Sequence, residues 1–367
     1  MLAAVLVALA AFPSQADAAR PNIVVITTDD QTLASLRADT MPQRHAAARG
    51  KGHDVHGRDR HDAPLLSLPG DLDTGQYAHN HGVTSNRPGY AALELKDNTL
   101  PVWLDQAGYK TAHVGKHLNG YESAVAEATE VAPGWDIWFT TLGTTRYYDY
   151  DVSANGREVH FRGRDNDHVT RVINRRAQTL IRSKTPLKAP LYLQVDQRAP
   201  HTETKVDSGG RCGGRAIPDR AHTKLFRDEL LPQPPSFNEA DVSDIHPVTP
   251  AARAATLKGL TKRWGCSLAS LPAVDRGVEW IVKAFKETDE LRKTVIVFTS
   301  DNGYYYGEHR IPMGKIYPYE EGIRVPLVMR VPGQCRGGGD RIAQIAAPVG
   351  NIDLATTVLE LARREAV

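Results

Sequence analysis

The nine residues NIVVITTDD, numbers 22–30, decide the fold of this chain. Residues 22–28 are mostly β-branched or apolar and show no polar alternation, the pattern of a strand that is buried on both faces of a sheet. The run ends in two adjacent carboxylates, Asp29 and Asp30. In parallel sheets, ligands collect at the carboxyl ends of such strands. We therefore predict a central strand that delivers both carboxylates to a functional site.

Other segments extend this pattern along the chain. Residues 294–300 (TVIVFTS) form a second buried-strand pattern that ends in Asp301 and Asn302, and residues 190–195 (PLYLQV) form a third. Residues 101–107 and 275–287 have the apolar spacing of helices. Strands that alternate with helices predict a mostly parallel sheet covered on both faces. Residues 202–250 lack such periodicity and are predicted to run over the surface.

The four polar side chains at the two strand ends suit one kind of ligand. Asp29, Asp30, Asp301 and Asn302 offer only oxygen atoms, and three of the four groups are anionic. Such donors favour a hard divalent cation, calcium or magnesium, over zinc. A single Asp-Asp pair is also common in turns and at helix starts. Two pairs at the same edge of one sheet favour a metal site, because a cation between carboxylates removes their repulsion.

Composition excludes some classes of protein. The chain has 367 residues, 41% hydrophobic and 24% charged, which is typical of a folded globular protein. Its 45 Lys and Arg residues nearly balance 43 Asp and Glu residues, and the net charge of +2 gives no long-range field for nucleic acid or an anionic membrane. Any anion preference must therefore be local.

The amino terminus and the cysteines bear on the cellular compartment. Residues 1–19 are apolar and end in small residues around Ala16 and Ala18, which predicts a signal peptide and a secreted or periplasmic protein. No other stretch is long and apolar enough to predict a membrane span. Cys212, Cys266 and Cys335 allow at most one internal disulfide, and their spacing is not that of a zinc site.

Several motifs occur in a fixed order along the chain: PNIVVITTDD at 21–30, TGQYAHNHGV at 74–83, GYKTAHVGK at 108–116, APH at 199–201, SDNG at 300–303, Lys315, YEEGIRVPL at 319–327 and NIDLATTVLELA at 351–362. In this order the chain resembles the type I sulfatases of the alkaline-phosphatase-like superfamily. GKHLNGY at 115–121 is most similar to the N-acetylglucosamine-6-sulfatase type. The resemblance implies an α/β fold, a three-layer α/β/α sandwich around a large, mostly parallel sheet. It also implies that a smaller C-terminal subdomain of the family is truncated here.

The resemblance further implies an activity and a set of roles. The expected reaction is hydrolysis of a sulfate ester. The expected substrate is a small molecule or a glycan, and it is either a sulfated sugar or an aryl sulfate. Asp29, Asp30, Asp301 and Asn302 would bind one Ca²⁺ ion, and Lys116, His201 and Lys315 would hold the sulfate. His117 and His309 are weaker candidates for substrate binding. A fixed cation with ammonium and imidazolium donors can stabilise the charge that develops on the sulfate oxygens.

The catalytic nucleophile of the family has no counterpart in the chain. Family members convert the cysteine of a C-x-P-S-R motif to formylglycine, but here Leu65 holds the place of that cysteine and Pro69 the place of the arginine. Reading each codon of residues 53–72 one nucleotide later can yield TTFTDAIVTTPRCCPSRATL, which contains the motif at the required distance. We therefore hypothesise a compensated frameshift over 53–72 and expect the chain as written to be impaired.

Two other functions remain open from the sequence. One is a phosphodiesterase or phosphonate hydrolase of the same superfamily, with Ser67 or Thr74 as nucleophile. The other is a non-catalytic protein that binds calcium or sulfated glycans on this scaffold. A comparison of the turnover of an aryl sulfate with that of an aryl phosphate diester would distinguish the first alternative from a sulfatase. Binding of a sulfated sugar without turnover would support the second alternative.

Overall fold

The computed structural model describes residues 20–42, 52–55, 68–143, 146–163, 165–184, 189–203, 210–243, 256–332, 343–345 and 347–363. The strands in chain order are β1 (Asn22–Asp29), β2 (Gly52–Val55), β3 (Lys110–Gly115), β4 (Ile137–Leu142), β5 (Tyr150–Ala154), β6 (Arg157–Phe161), β7 (Leu191–Pro200), β8 (Thr294–Ser300), β9 (Leu327–Arg330) and β10 (Ala343–Ile345). The helices are α1 (Leu68–Thr74), α2 (Ala78–His81), α3 (Leu100–Gln106), α4 (Tyr121–Ala124), α5 (Val169–Lys184), α6 (Leu257–Glu287), α7 (Glu320–Ile323) and α8 (Ile352–Arg363).

The strands form one sheet in the order β10-β2-β9-β8-β1-β7-β3-β4-β5-β6. β1 lies between β7 and β8 and is parallel to both, so that Val24 is opposite Leu193 on one side and Ile296 on the other. The five strands from β8 to β4 are all parallel, whereas β9, β5 and β6 add antiparallel flanks. Every residue of β1 is buried, which confirms the predicted central strand.

Side chains of β1 alternate between two hydrophobic cores, one on each face of the sheet. Val24 and Ile26 pack with the apolar residues of α5 and α6. Ile23 and Val25 pack on the opposite face, with residues of α1, α3 and α8. Because both faces are covered by helices, a strand without polar alternation is the stable solution. The predicted three-layer α/β/α architecture is confirmed.

Helix α6 is much longer than the sequence pattern indicated. The pattern predicted a helix over 275–287, but α6 spans 31 residues and contains Pro272. Its residues are buried on more than one face, including Gly265, Ser267 and Ser270, so the upstream half shows no simple amphipathic period. The hydroxyl of Thr256 accepts a hydrogen bond from Gly259 N at 3.2 Å and starts the helix.

The predicted surface segment is anchored to α6 by a disulfide. Residues 210–243 contain only short helical turns and one isolated bridge between Phe237 and Glu308. Cys212, in this segment, is bonded to Cys266 of α6. The sequence allowed one bridge without fixing the pairing, and the structure supplies it. Cys335 lies outside the described residues, as do residues 1–19, which carry the predicted signal peptide. No helix in the described ranges has both the length and the hydrophobicity needed to cross a bilayer.

Candidate functional site

Two neighbouring strand ends bring the predicted oxygen ligands together. Asp29 is the last residue of β1, and Asp301 and Asn302 follow β8 directly. Asp30 N donates a hydrogen bond to Asp301 Oδ1 at 3.0 Å, and Asn302 Nδ2 lies 2.7 Å from Asp30 Oδ1. All four residues lie in one cluster at the carboxyl edge of the sheet, as their positions after parallel strands predicted.

The backbone of this turn is held in a conformation that few residues adopt. Asp30 has a φ of 70°, in the left-handed region, where aspartate is better tolerated than most residues. Gln31 N donates to Ser300 Oγ at 2.9 Å, which joins the chain after β1 to the end of β8. Ser300 Oγ is also 2.9 Å from Asn302 O. These bonds fix the directions of both acidic pairs, and local strain of this kind is typical of functional sites.

Basic side chains from other elements face the carboxylates. Lys116 Nζ lies 2.5 Å from Asp29 Oδ2, and Lys315 Nζ lies 2.6 Å from Asp30 Oδ1. Lys315 Nζ is also 3.3 Å from Asp29 Oδ1, so this ammonium group bridges the two aspartates. His201 Nε2 lies 3.8 Å from Asp30 Oδ2. Lys116, His201 and Lys315 therefore surround the acidic cluster that the sequence placed them beside.

A glycine allows Lys116 to enter the site. Gly115 has a φ of 132°, and a Cβ atom there would lie only 1.9 Å from Asp196 O on β7. Lys116 N donates to that same carbonyl at 2.9 Å. β3 and β7 can therefore approach closely at this point only because residue 115 has no side chain. The Gly-Lys pair of the GYKTAHVGK motif thus has a structural reason.

Burial and neighbouring charges together shift the pKa values of the cluster. Burial acts to raise the pKa of Asp29, but His201, Lys116 and Lys315 outweigh it and hold that pKa well below its usual range. Burial and the charge of Asp29 raise the pKa of Asp301 well above the ordinary value. Burial acts to lower the pKa of Lys315, but the three aspartates hold it well above normal. The cluster therefore needs positive charge close to its carboxylates.

His201 is influenced by burial and by charged neighbours. Burial lowers its pKa, and the charges of Asp29 and Asp30 act in the opposite direction. Its Nδ1 donates to Thr202 O at 2.7 Å, and its Nε2 faces Asp30 Oδ2 at 3.8 Å. Nε2 is therefore the ring atom that is directed at the acidic cluster.

These groups fit a divalent cation. One potential ligand atom each from Asp29, Asp30 and His201 all lie within 4.8 Å of one another, which is the spacing of a metal site. Asp301 is not one of these three residues. It is connected to them because its Oδ1 accepts a hydrogen bond from Asp30 N. Carboxylates dominate the donor set, as hard divalent cations prefer. The described residues therefore hold a possible acidic metal-binding group.

His117 and His309, the two weaker candidates, make their contacts with residues other than the aspartates of the cluster. His117 follows Lys116, but its buried ring packs against Tyr90, Tyr121 and Trp138. Burial lowers its pKa well below the ordinary value, and neither ring nitrogen has a hydrogen-bond partner within the described ranges. The ring of His309 lies between two glutamates, with Nδ1 2.6 Å from Glu239 Oε1 and Nε2 3.2 Å from Glu321 Oε2. Both roles stay predictions.

Two residues near the site had no motif to mark them. Arg198 of β7 is buried; burial lowers its pKa, and the charge of Asp29 acts in the opposite direction. Together with Lys116 and the end of β4, Arg198 lines a cavity of about 60 Å³. Tyr147 donates its hydroxyl hydrogen bond to His201 O at 2.7 Å and fixes that turn. The sequence does mark Arg198 in one way, because it is a charged residue within the buried strand that ends at the APH motif.

Most of the segment around the expected nucleophile position lies outside the described residues. Leu65 and Ser67 lie outside the described residues. Thr74, the other alternative nucleophile, ends α1 and donates its hydroxyl hydrogen bond to Gly70 O at 2.6 Å. The same hydroxyl accepts from Gln76 N at 3.2 Å. Thr74 is therefore engaged in closing its own helix.

Comparison with known proteins is consistent with this geometry. A family model described as Sulfatase matches residues 71–363. An arylsulfatase of Volvox carteri is 32% identical over 387 aligned positions, which cover 99% of this chain and 58% of the relative. The N-acetylglucosamine-6-sulfatase of Homo sapiens is 29% identical, over 96% of this chain and 63% of the relative. The chain thus spans little more than half the length of these two relatives.

A solved structure shares the fold. It shows a protein in complex with its substrate D-glucosamine-2-N,6-O-disulfate, and it is 22% identical to this chain. The match covers 94% of this chain and 76% of that chain, with a TM-score of 0.72. At this level of identity the likeness bears on the architecture, and it agrees with the three-layer sandwich described above.

Proposed function

The chain belongs to the sulfatase family, and from that membership we propose that its site is built to hydrolyse a sulfate ester on a sulfated sugar or an aryl sulfate. The observation that carries the proposal is the convergence of acidic and basic side chains at one edge of the sheet. The carboxylates of Asp29 and Asp30 lie within ion-pair distance of Lys116, His201 and Lys315. An isolated structural ion pair would not need so many groups of both signs in one buried cluster.

The proposed cation is Ca²⁺, held by Asp29, Asp30, Asp301 and Asn302. When bound, the ion would supply positive charge to the sulfate oxygens as negative charge builds up on them. Lys116 and Lys315 would hold and neutralise the same oxygens from the other side, since ammonium groups are effective point-charge donors to such anions. His201 would hold the sulfate with them through Nε2, since its Nδ1 donates to Thr202 O.

The missing nucleophile limits the chain as written to binding. The family match begins at residue 71, directly at the end of the segment 53–72 that we propose to be frameshifted. Leu65 has no nucleophilic atom, and the sequence contains no C-x-P-S-R motif. We infer that a chain with the shifted reading of 53–72 would carry the formylglycine precursor at position 65.

The proposed compartment is outside the cytoplasm. Residues 1–19 have the composition of a signal peptide. The disulfide between Cys212 and Cys266 supports an oxidising environment, because such bonds are rare in reducing compartments. These two features are independent of each other, and both favour export.

Turnover by two matched chains tests the proposal. The first chain has the sequence given, and in the second TTFTDAIVTTPRCCPSRATL replaces residues 53–72; both are made in a host that converts the motif cysteine to formylglycine. We expect the second chain to hydrolyse 4-nitrophenyl sulfate and the first to show no turnover above background. Removal of calcium with a chelator should abolish the activity of the second chain.

An aryl phosphate diester serves as the comparison substrate. Faster turnover of the diester than of the sulfate by the second chain would assign it to the phosphonate and phosphodiester hydrolases instead. Lack of activity of the second chain on either substrate, with the fold verified by circular dichroism, would contradict the proposed function. Sequencing the DNA across residues 53–72 checks the frameshift separately, because codons incompatible with C-C-P-S-R would exclude it.

A further inference from the structure

Four arginines gather where the segment 210–243 meets helix α6. Arg211, Arg215 and Arg227 belong to the segment, and Arg263 lies near the start of α6. We call these four residues the arginine cluster. Arg227 is exposed and the other three are partly exposed, so the cluster lies at the surface. Because the whole chain has a net charge of only +2, this concentration of positive charge is a local feature.

A covalent bond and a glycine hold the segment against α6 at this place. Cys212, next to Arg211, is bonded to Cys266 of α6. A Cβ atom on Gly265 would clash with Phe226 O and would lie 3.0 Å from Nη2 of Arg211. The segment can therefore approach α6 this closely only because residue 265 has no side chain. The disulfide and the glycine together fix Arg211 beside the helix that carries the fourth arginine.

The hydrogen bonds of the arginine cluster go to backbone carbonyls. Arg211 Nη2 donates to Phe226 O at 3.3 Å and to Arg227 O at 3.1 Å. Arg215 Nη1 donates to Gly213 O at 2.9 Å. Within the described ranges, none of the four guanidinium groups lies within ion-pair distance of a carboxylate. The cluster is therefore held in place by the backbone and keeps its positive charge uncompensated.

Two acidic residues of the same segment are engaged with other arginines. Asp219 is paired with Arg171 of α5 at 2.7 Å. Glu229 is paired with Arg37, which follows β1, at 2.5 Å. These carboxylates tie the segment to the rest of the fold and do not serve the arginine cluster. A counter-ion for the cluster must therefore come from elsewhere.

Burial and mutual repulsion act in the same direction on two of the arginines. Burial lowers the pKa of Arg211, the charge of Arg227 lowers it further, and Asp228 acts in the opposite direction. Burial also lowers the pKa of Arg215, and the charges of Arg263 and Arg211 add to this effect. Like charges held together without counter-ions raise the free energy of the folded chain, and a bound anion would lower it.

The arginine cluster lies behind the turn that carries His201, outside the group of residues that faces the aspartates. Glu203 N donates to Arg215 O at 3.0 Å, and Glu203 is two residues after His201. Lys116 and Lys315 contact the aspartates directly, whereas no arginine of the cluster does so among the described residues. An anion held by the cluster would therefore be additional to a sulfate ester in the site.

The chemistry of the cluster indicates which anion it fits. A guanidinium group is a planar fork of donors that matches the oxygens of sulfate and carboxylate groups. Four such groups on two elements carry more positive charge than a single sulfate ester can neutralise. A chain with repeated sulfate groups supplies several anions at once, and each contact raises the effective concentration for the next.

We propose that the arginine cluster is an exosite that holds sulfated polysaccharide chains through sulfate groups other than the one that is cleaved. This inference rests on the proposed function only for the choice of a sulfated sugar polymer as the anion. It predicts that the protein binds a sulfated polymer more tightly than a monosaccharide sulfate.

Binding of a labelled polymer tests the exosite without any need for turnover. Fluorescein-labelled dextran sulfate is titrated with the chain at low salt, and fluorescence anisotropy measures the affinity. We expect binding that weakens as the salt concentration rises, since the contacts are charge contacts at the surface. The binding should persist when a chelator removes calcium, because the cluster lies outside the proposed cation site. Neutral dextran should not compete.

Two substitutions remove charge from the cluster without removing a hydrogen bond that the described residues make. Arg227→Gln and Arg263→Gln should each weaken dextran sulfate binding roughly fivefold. The melting temperature should stay the same or rise, because repulsion is relieved, whereas a merely structural role would lower it. Arg292→Gln removes the same charge from an exposed position outside the cluster and is the matched control. It should change the affinity by less than about twofold.

Each outcome bears on a stated proposal. Binding that both cluster variants leave unchanged, or that Arg292→Gln weakens equally, would overturn the exosite. Binding that disappears with calcium would assign the polymer to the cation site and would also overturn it. Tighter binding of single-stranded oligodeoxythymidine than of dextran sulfate would assign the cluster to nucleic acid instead. If the polymer binds and responds as expected but inorganic sulfate does not bind in the presence of calcium, the exosite stands and the proposed function fails.

Discussion

At the scale of single residues, Asp30 combines three constraints. It has a left-handed backbone, its carboxylate faces Lys315 at 2.6 Å, and its amide bonds Asp301 at 3.0 Å. Asparagine also adopts the left-handed region, so Asp30→Asn removes the charge without a new backbone cost. The carboxylate can therefore be tested apart from the turn that carries it.

We expect Asp30→Asn to weaken Ca²⁺ binding by more than about tenfold, because calcium affinity follows the number of charged oxygen ligands. Isothermal titration with CaCl₂ measures the change. Asp289→Asn is the matched control, since Asp289 also has a positive φ of 56° but its carboxylate is exposed and distant in sequence from the site. Equal loss of affinity in both variants would contradict the assigned role of Asp30.

A buried histidine outside the site should make stability depend on pH. Burial lowers the pKa of His168 to about 4, while its Nε2 is 2.9 Å from Ile217 O. Between pH 6.5 and about 4 the unfolded chain binds a proton that the folded chain does not, so stability falls as the pH falls. The loss across this window should reach about 3 kcal/mol.

Urea unfolding of His168→Gln at several pH values checks this expectation. The variant should lose less stability than the parent between pH 6.5 and 4, whatever its stability at neutral pH. His79→Gln, at an exposed position, should keep the slope of the parent. Identical slopes for the parent and His168→Gln would rule out this histidine as the source.

At the scale of elements, the sequence predicted where the central strands end, but it did not predict how closely neighbouring strands pack. β1 and β8 were recognisable because unbroken β-branched runs are typical of strands in the middle of a parallel sheet. The antiparallel flank β5–β6 was not predicted, since its half-exposed residues carry a weaker pattern. The close contact of β3 with β7 at Gly115 could not be read from spacing, because it depends on a carbonyl distant in sequence.

Gly115→Ala should therefore be far more harmful than an alanine at another glycine with positive φ. The new Cβ would meet Asp196 O at 1.9 Å, so β3 must shift and carry Lys116 with it. Gly156→Ala is the matched control, because Gly156 has a φ of 83° but open space around it. We expect the control to cost about 1 kcal/mol from backbone strain and Gly115→Ala to cost several-fold more. Thermal denaturation compares the two, and similar melting temperatures would contradict the role of the clash.

The candidate site shows the same limit. The positions of Asp29, Asp30, Asp301 and Asn302 follow from strand ends and could be predicted. The lowered pKa of His201 could not, because it results from burial by neighbours that no local pattern reveals. Arg198 was missed for a related reason, since a single arginine in a strand does not show on which face it lies.

At the scale of the whole molecule, the two cores that cover the sheet and one disulfide link distant parts of the described chain. The cores on either face of the sheet share β1 as a common wall. The disulfide between Cys212 and Cys266 spans 54 residues and holds the irregular segment 210–243 against α6. The sequence could not choose this pairing, because three cysteines allow three different pairs.

Removal of the disulfide should lower the free energy of unfolding by about 4 kcal/mol, since a closed loop of this size restricts the unfolded chain. The double variant Cys212→Ala with Cys266→Ala can be compared with the parent by thermal denaturation, each with and without a reductant. We expect the reductant to lower the melting temperature of the parent and to leave the double variant unchanged. No response of the parent to the reductant would contradict a stabilising role for this bond.

The contact of both lysines with the aspartates would link the binding of a cation at this site to the binding of an anion. Lys116 and Lys315 are internal counter-ions of Asp29 and Asp30, so the proposed divalent ion would compete with ammonium groups of the chain itself. An ion bound to the carboxylates would release both lysines for an anion, and an anion that attracts the lysines would uncover the carboxylates. Under the proposed function the two ligands would be heterotropic partners, and thermodynamic reciprocity would require each to tighten the other by the same factor.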